Sequence, residues 1–161
     1  MNILYIHGLD SSPNPFRIDW LQAQGHTVHA LHLDYRTEPE VYNLLRRAAI
    51  ESSFIVGSSL GGRLGYWLSE ELGIPCLLYN PALALEIPDL TENYSTLTGC
   101  PERYVVLGDQ DDVVDAQATW NWLTARESPS CRQRVIRCHW LGHEIDPDTF
   151  VETCRWAGLS L

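Results

Sequence analysis

The sequence predicts an α/β fold built on a single doubly wound, mostly parallel sheet of about six strands. Strand-like and helix-like stretches alternate along the chain. The strand-like runs are short and almost wholly apolar, as strands covered on both faces must be. The 161 residues suit one domain with a real hydrophobic core, expected to span 1–161.

The elements can be taken in order. Residues 2 to 6 read as a buried strand, followed by the turn-rich loop His7-Gly8-Leu9-Asp10-Ser11-Ser12-Pro13. Phe16 to Gln24 is helical and is closed by Gly25. Thr27 to Leu33 has strand character. Thr37-Glu38-Pro39-Glu40 has the form of a capping box, opening a helix with Val41, Leu44, Leu45, Ala48 and Ala49 on its apolar face. Phe54 to Gly57 is a strand and Gly61 to Leu72 a helix ending at Gly73. Cys76 to Tyr79, Tyr104 to Leu107 and Arg134 to Cys138 are further strands. Ala116 to Arg126 and Pro147 to Gly158 are helices, with Asp115 and Asp146 as N-caps. The mixed stretch 81–101 is expected to be a small cap or a loop.

Composition removes several function classes. The formal charge is −10 and all 11 basic residues are arginine, so no basic stripe is available for nucleic acid. The absence of lysine excludes a Schiff-base lysine and a P-loop lysine. Five cysteines, none in a CxxC pair, suit reduced thiols. The first residues carry no signal-peptide pattern, and no apolar run reaches membrane-spanning length. A cytoplasmic protein is expected. No cofactor motif is present. Cys131, Cys138, His139, His143 and Cys154 crowd together in sequence without a common zinc spacing. His26, His29 and His32 do not converge on one face of a strand.

The chemical signal is Gly57-Ser58-Ser59-Leu60-Gly61, a G-x-S-x-G pattern between an apolar strand and a helix. This is the sequence form of a nucleophile elbow, with Ser59 at its tip. A serine hydroxyl needs a base to take its proton and an acid to orient that base. The acid is expected after a late strand, where Asp109, Asp111, Asp112 and Asp115 compete. Asp111 is favoured over Asp112 and then Asp109. Only His139 and His143 follow it, and His143, in the loop beyond the last strand, is favoured as the base. The amides of Leu60 and Leu9 are expected to form an oxyanion hole. His7 is read as a buried histidine that ties down its loop, with His7 and Gly8 beside the substrate and Trp140 lining an acyl pocket.

Together these segments resemble the α/β-hydrolase superfamily, and more narrowly the small bacterial YqiA-like esterases (the UPF0227 group). The matching segments are Tyr5 to Pro13, Gly57 to Gly62, Tyr79-Asn80-Pro81-Ala82, Asp111 to Asp115 and Gly142-His143. The resemblance implies a minimal α/β-hydrolase fold with little or no lid, and Ser59, Asp111 and His143 as nucleophile, acid and base. It also implies a small-molecule acyl ester or thioester as substrate. Gly108-Asp109-Gln110 and Glu144-Ile145 depart from the family pattern, the first by adding a rival carboxylate. The alternative reading is a catalytically silent, hydrolase-like binding protein.

Overall fold

The computed structural model describes residues 1–87 and 101–161, so most of the stretch expected as a cap or loop, 81–101, lies outside the described residues. The strands are β1 (Asn2–Ile6), β2 (Thr27–Ala30), β3 (Phe54–Ser58), β4 (Cys76–Tyr79), β5 (Arg103–Gly108) and β6 (Gln133–Cys138). The helices are α1 (Pro15–Ala23), α2 (Val41–Ile50), α3 (Leu60–Leu72), α4 (Ala116–Thr124) and α5 (Pro147–Trp156). All strands pair in parallel in the order β2-β1-β3-β4-β5-β6. The expected doubly wound sheet is therefore the observed one.

The strands bury alternate residues on opposite faces. Ile3 and Tyr5 join Leu21 of α1 and Phe150 of α5 on one face. Leu4 and Ile6 join Leu45 of α2, Leu64 of α3 and Leu123 of α4 on the other. Leu4, Leu21 and Leu64 have no exposed surface; truncating any of them to alanine would cost about 2–5 kcal/mol. In α2 the buried residues Val41, Leu45 and Ala49 repeat at the spacing of one helical face. The Trp20 ring stands edge-on to Phe150 at 5.9 Å and ties α1 to α5.

Helix starts follow local chemistry. Asp115 accepts from the Ala118 amide and Asp146 from the Thr149 amide, as expected for N-caps. Asn14 caps α1 in the same way, with Pro15 in the first helical position. The capping box at Thr37 is not formed. Glu40 occupies the cap position of α2 without a side-chain cap hydrogen bond. The Thr37 and Glu38 amides instead donate to the Asp34 carbonyl, and Glu38 Oε1 accepts from the Glu40 amide. Pro39 also biases the residue before it away from helical backbone, so the helix starts one residue after Glu40. Strand β2 is shorter than expected, because its ladder with β1 ends at the Tyr5–Ala30 pair.

This strand order places the candidate site. The chain winds outward from β1 in both directions, through β2 on one side and β3 on the other. The crevice between β1 and β3 at their carboxyl ends is thus the topological switch point, where ligands bind in open parallel sheets. His7 and Gly8 leave β1 there, and Ser59 leaves β3.

Candidate active site

Ser59 sits between β3 and α3 with φ 56 and ψ −120. This is a backbone conformation that an L-residue adopts only under constraint. The constraint is a set of backbone hydrogen bonds. The Ser59 amide donates to the Tyr79 carbonyl, and the Ser59 carbonyl accepts from the Arg63 and Ala82 amides. The turn is also too tight for side chains. A Cβ on Gly57 would lie 2.5 Å from the Gly61 carbonyl oxygen, and one on Gly61 would overlap the Ile6 and His7 carbonyl oxygens. Leu60 opens α3, so its N–H belongs to the first turn, whose donors have no intrahelical acceptor.

The loop after β1 lies against Ser59. A methyl group built on Gly8 would be 3.3 Å from Ser59 Cβ and 3.9 Å from its Oγ. His7 holds this loop. Its Nε2 accepts from the Leu33 amide at 3.0 Å, which leaves the proton on Nδ1, donating to the Gly8 carbonyl at 2.7 Å. The Tyr35 hydroxyl donates to the His7 carbonyl at 2.6 Å. Burial lowers the His7 pKa, against the raising effect of the Gly8 hydrogen bond. His7 is thus a neutral, buried histidine with both ring nitrogens committed.

Asp111 and His143 meet across the loops that follow β5 and β6. Asp111 Oδ2 lies 2.8 Å from His143 Nδ1. Its other oxygen accepts from the Val113 and Val114 amides, both at 2.8 Å. The carboxylate is fully buried, while the His143 side chain is 23% exposed. An ionised carboxylate only accepts, so Nδ1 carries the imidazole proton and Nε2 is left able to take one.

The rival residues are engaged elsewhere. Asp109 binds Arg137 Nε at 2.7 Å and His139 Nδ1 at 2.6 Å, and Arg137 followed by His139 holds its carboxyl below the usual carboxylate range, against the opposing effect of burial. The His139 side chain is 88% exposed. Asp112 is exposed, and Asp115 caps α4.

Ser59 and His143 line one cavity of about 190 Å³, together with His7, Gly8 and Leu9. Trp140 does not line it. That side chain is 69% exposed and donates its indole N–H to Thr149 Oγ1, which turns it toward the start of α5. The cavity wall is instead polar, with Asp10, Asn14, Arg17 and Glu144 among its residues. No motif or spacing in the sequence assigns a role to Arg17, Asn80 or Glu144.

Asn80 is the structural centre of the loops. Its Nδ2 donates to the Gly142 and His143 carbonyls at 3.0 and 3.3 Å, and its Oδ1 accepts from the Gly108 amide at 2.8 Å. It is buried and has φ 41. Among the described residues no three His, Cys, Asp or Glu side chains gather as a metal site.

The model of the uncharacterised protein family UPF0227 matches residues 2–92. The chain belongs to the UPF0227 family. A UPF0227 protein of Vibrio cholerae is 29% identical over a 146-residue alignment that covers 73% of this chain and 79% of that protein. Among solved structures, this UPF0227 chain is similar to esterase PE8, with a TM-score of 0.72 at 15% identity, covering 99% of this chain and 92% of that one. It is also similar to a monoacylglycerol lipase of Paleococcus ferrophilus, with a TM-score of 0.68 at 15% identity over 97% and 91%. A third is the mouse alpha/beta hydrolase domain-containing protein 10, with a TM-score of 0.68 at 14% identity over 98% and 88%. At these identities the likeness is one of fold: the UPF0227 chain has the α/β-hydrolase fold.

Proposed function

We propose that this protein is a serine hydrolase that cleaves a carboxylic ester or thioester through an acyl-enzyme on Ser59. The observation that carries the reading is the hydrogen bond between Asp111 and His143, in a cavity shared with a serine held at positive φ. His143 Nε2 takes the Ser59 proton as Oγ bonds to the acyl carbon. The tetrahedral oxyanion is held by the Leu60 and Leu9 amides. It collapses by breaking the bond to the alcohol or thiol, which leaves with the proton from His143. Water then attacks with His143 again as base, releasing the acid and restoring Ser59. Asp111 keeps the imidazole in the Nδ1–H tautomer and stabilises the imidazolium. The buried thiols of Cys76, Cys138 and Cys154 are in no disulfide, which supports a reducing, cytoplasmic setting.

A fluorophosphonate probe tests this reading. The protein should label at Ser59, and Ser59→Ala should lose labelling and at least ~10³-fold in ester hydrolysis. Full hydrolysis by Ser59→Ala would overturn the mechanism. An unlabelled protein without esterase activity would point to a binding protein on the same fold.

A further inference from the structure

The cavity beside Ser59 contains a buried cation that the proposed chemistry does not use. Arg17 is only 7% exposed. Its Nη1 donates to the Tyr5 hydroxyl at 3.2 Å and its Nη2 to the Ile145 carbonyl at 3.0 Å. Both acceptors are neutral, and both belong to residues that line the cavity with Arg17 itself. Among the described residues no carboxylate forms an ion pair with Arg17, although other arginines, including Arg36, Arg103 and Arg137, have such partners. Taking a guanidinium out of water is costly unless an opposite charge compensates. Two neutral hydrogen bonds, and the Phe150 ring 5.7 Å from Cζ, offset only part of that cost.

The position of Arg17 is unfavourable in a second way. It lies in the first turn of α1, which has no acidic residue. A helix N-terminus carries partial positive charge and favours anions there. Asn14, the cap of α1, also lines the cavity. A cation and a helix start of the same sign therefore border one small space. Besides Arg17, the charged and titratable groups lining that space are Tyr5, which accepts from Arg17, and Asp10, Glu144, His7 and His143. Asp10 is engaged by Arg36 through both its oxygens, at 2.8 and 2.6 Å, on the open surface. Glu144 is exposed. The two histidines are those described above. The protein as a whole carries a formal charge of −10, so an anion entering the site needs a local cation to receive it.

We propose that Arg17 is the anion-recognition group of this cavity, selecting acyl substrates that carry a carboxylate or phosphate in addition to the scissile ester or thioester. This rests on the reading of Ser59 as nucleophile. A fork of guanidinium donors fits either oxyanion, and such a pair is stronger than one between neutral groups. The anion replaces the water that Arg17 loses on burial. Glu144 opposes it from the exposed side and tunes the preference.

The experiment compares p-nitrophenyl hemiglutarate with the uncharged p-nitrophenyl pentanoate on the full chain. The wild type should favour the charged ester by at least ~10-fold in kcat/KM. Arg17→Met keeps the apolar stem and should erase that preference while hydrolysing the neutral ester within a few-fold of the wild type. Arg17→Lys should keep part of the preference, which guards against a variant that fails to fold. Glu144→Gln should increase it. Equal turnover of the two esters by the wild type, or an equal loss on both in Arg17→Met, overturns the proposal. If neither ester turns over and the fluorophosphonate does not label, the Ser59 reading has failed and calorimetry decides the Arg17 reading. Saturable binding of glutarate or inorganic phosphate that Arg17→Met loses supports it, and the anion that binds identifies the source. Binding of neither, or binding that survives in Arg17→Met, overturns it.

Discussion

Asn80 holds His143 by its main chain, not by its ring: the amide Nδ2 lies 3.3 Å from the His143 carbonyl and 3.0 Å from that of Gly142. The same side chain accepts from the Gly108 amide. One buried amide thus fixes both the β5 loop that leads to Asp111 and the β6 loop that carries His143. Asn80→Ala removes both ties and leaves buried backbone groups unpaired, each costing about 1–3 kcal/mol. With His143 as the proposed base, ester kcat should fall by at least ~10-fold, because small displacements of a reacting group are expensive. KM should change less, since Asn80 is not among the residues lining the cavity. Asn80→Asp keeps the acceptor for Gly108 but replaces the donor with an acceptor facing two carbonyls, so it should be no better than alanine. Steady-state kinetics with urea unfolding of each variant separates misplacement from loss of fold.

A similar contrast tests the acid. Asp111→Asn keeps an oxygen for the Val113 and Val114 amides, so the loop should persist. In the proposed mechanism it removes the charge that orients and stabilises the imidazole, and kcat should drop by about 10⁴-fold. Asp109 meets His139 and Arg137 on the outside of the same loops, and Asp112 is exposed. Asp109→Asn and Asp112→Asn should therefore stay within a few-fold of the wild type. A large loss in either, with Asp111→Asn active, would transfer the role of acid.

These residues differ in how visible they are in sequence, for a physical reason. The central strands β1, β3, β4 and β5 were legible because burial on both faces demands continuous apolar runs, whereas the half-exposed edge strand β2 ends earlier than its sequence suggests. Asp115 and Asp146 were legible because a cap bonds an amide three residues away. The elbow was legible because its tight approach admits only glycine at Gly57 and Gly61. Asn80 and Arg17 act on groups far along the chain, and Arg17 reaches a carbonyl 128 residues away. No local pattern encodes such a contact. Trp140 misled for the same reason: its place beside the His143 loop is local, whereas the direction of its ring is set by Thr149. The box at Thr37 has the right letters, but the Asp34 carbonyl takes the Thr37 amide and Glu38 Oε1 takes the Glu40 amide.

His7 gives the fold a defined response to pH. Its pKa is lowered from the ordinary 6.5, chiefly by burial. Below pH 6.5 the unfolded chain takes up a proton that the folded chain refuses, so the unfolded state binds more protons. The stability that neutral His7 supports is full above that pH and is lost as the pH falls toward the folded-state value. Protonation would also put a proton on Nε2, which must accept from Leu33. Urea unfolding at about pH 7.5 and about pH 5.5 should show a larger loss for the wild type than for His7→Asn. Equal losses would mean that His7 titrates alike in both states.

The strain at Ser59 can be measured apart from its chemistry. Its φ of 56 with ψ of −120 suits glycine and costs other residues about 1–3 kcal/mol. Ser59→Ala and Ser59→Gly both remove the hydroxyl, but only glycine relieves the backbone. Glycine also gains conformational entropy in the unfolded chain, which offsets about 0.5–1 kcal/mol of that relief. Ser59→Gly should therefore be the more stable of the two by about 1 kcal/mol in urea unfolding, with both inactive. Equal stability, or a more stable alanine variant, would show that the elbow stores no strain at this residue. The positive φ would then follow from the surrounding backbone hydrogen bonds at no cost to the fold.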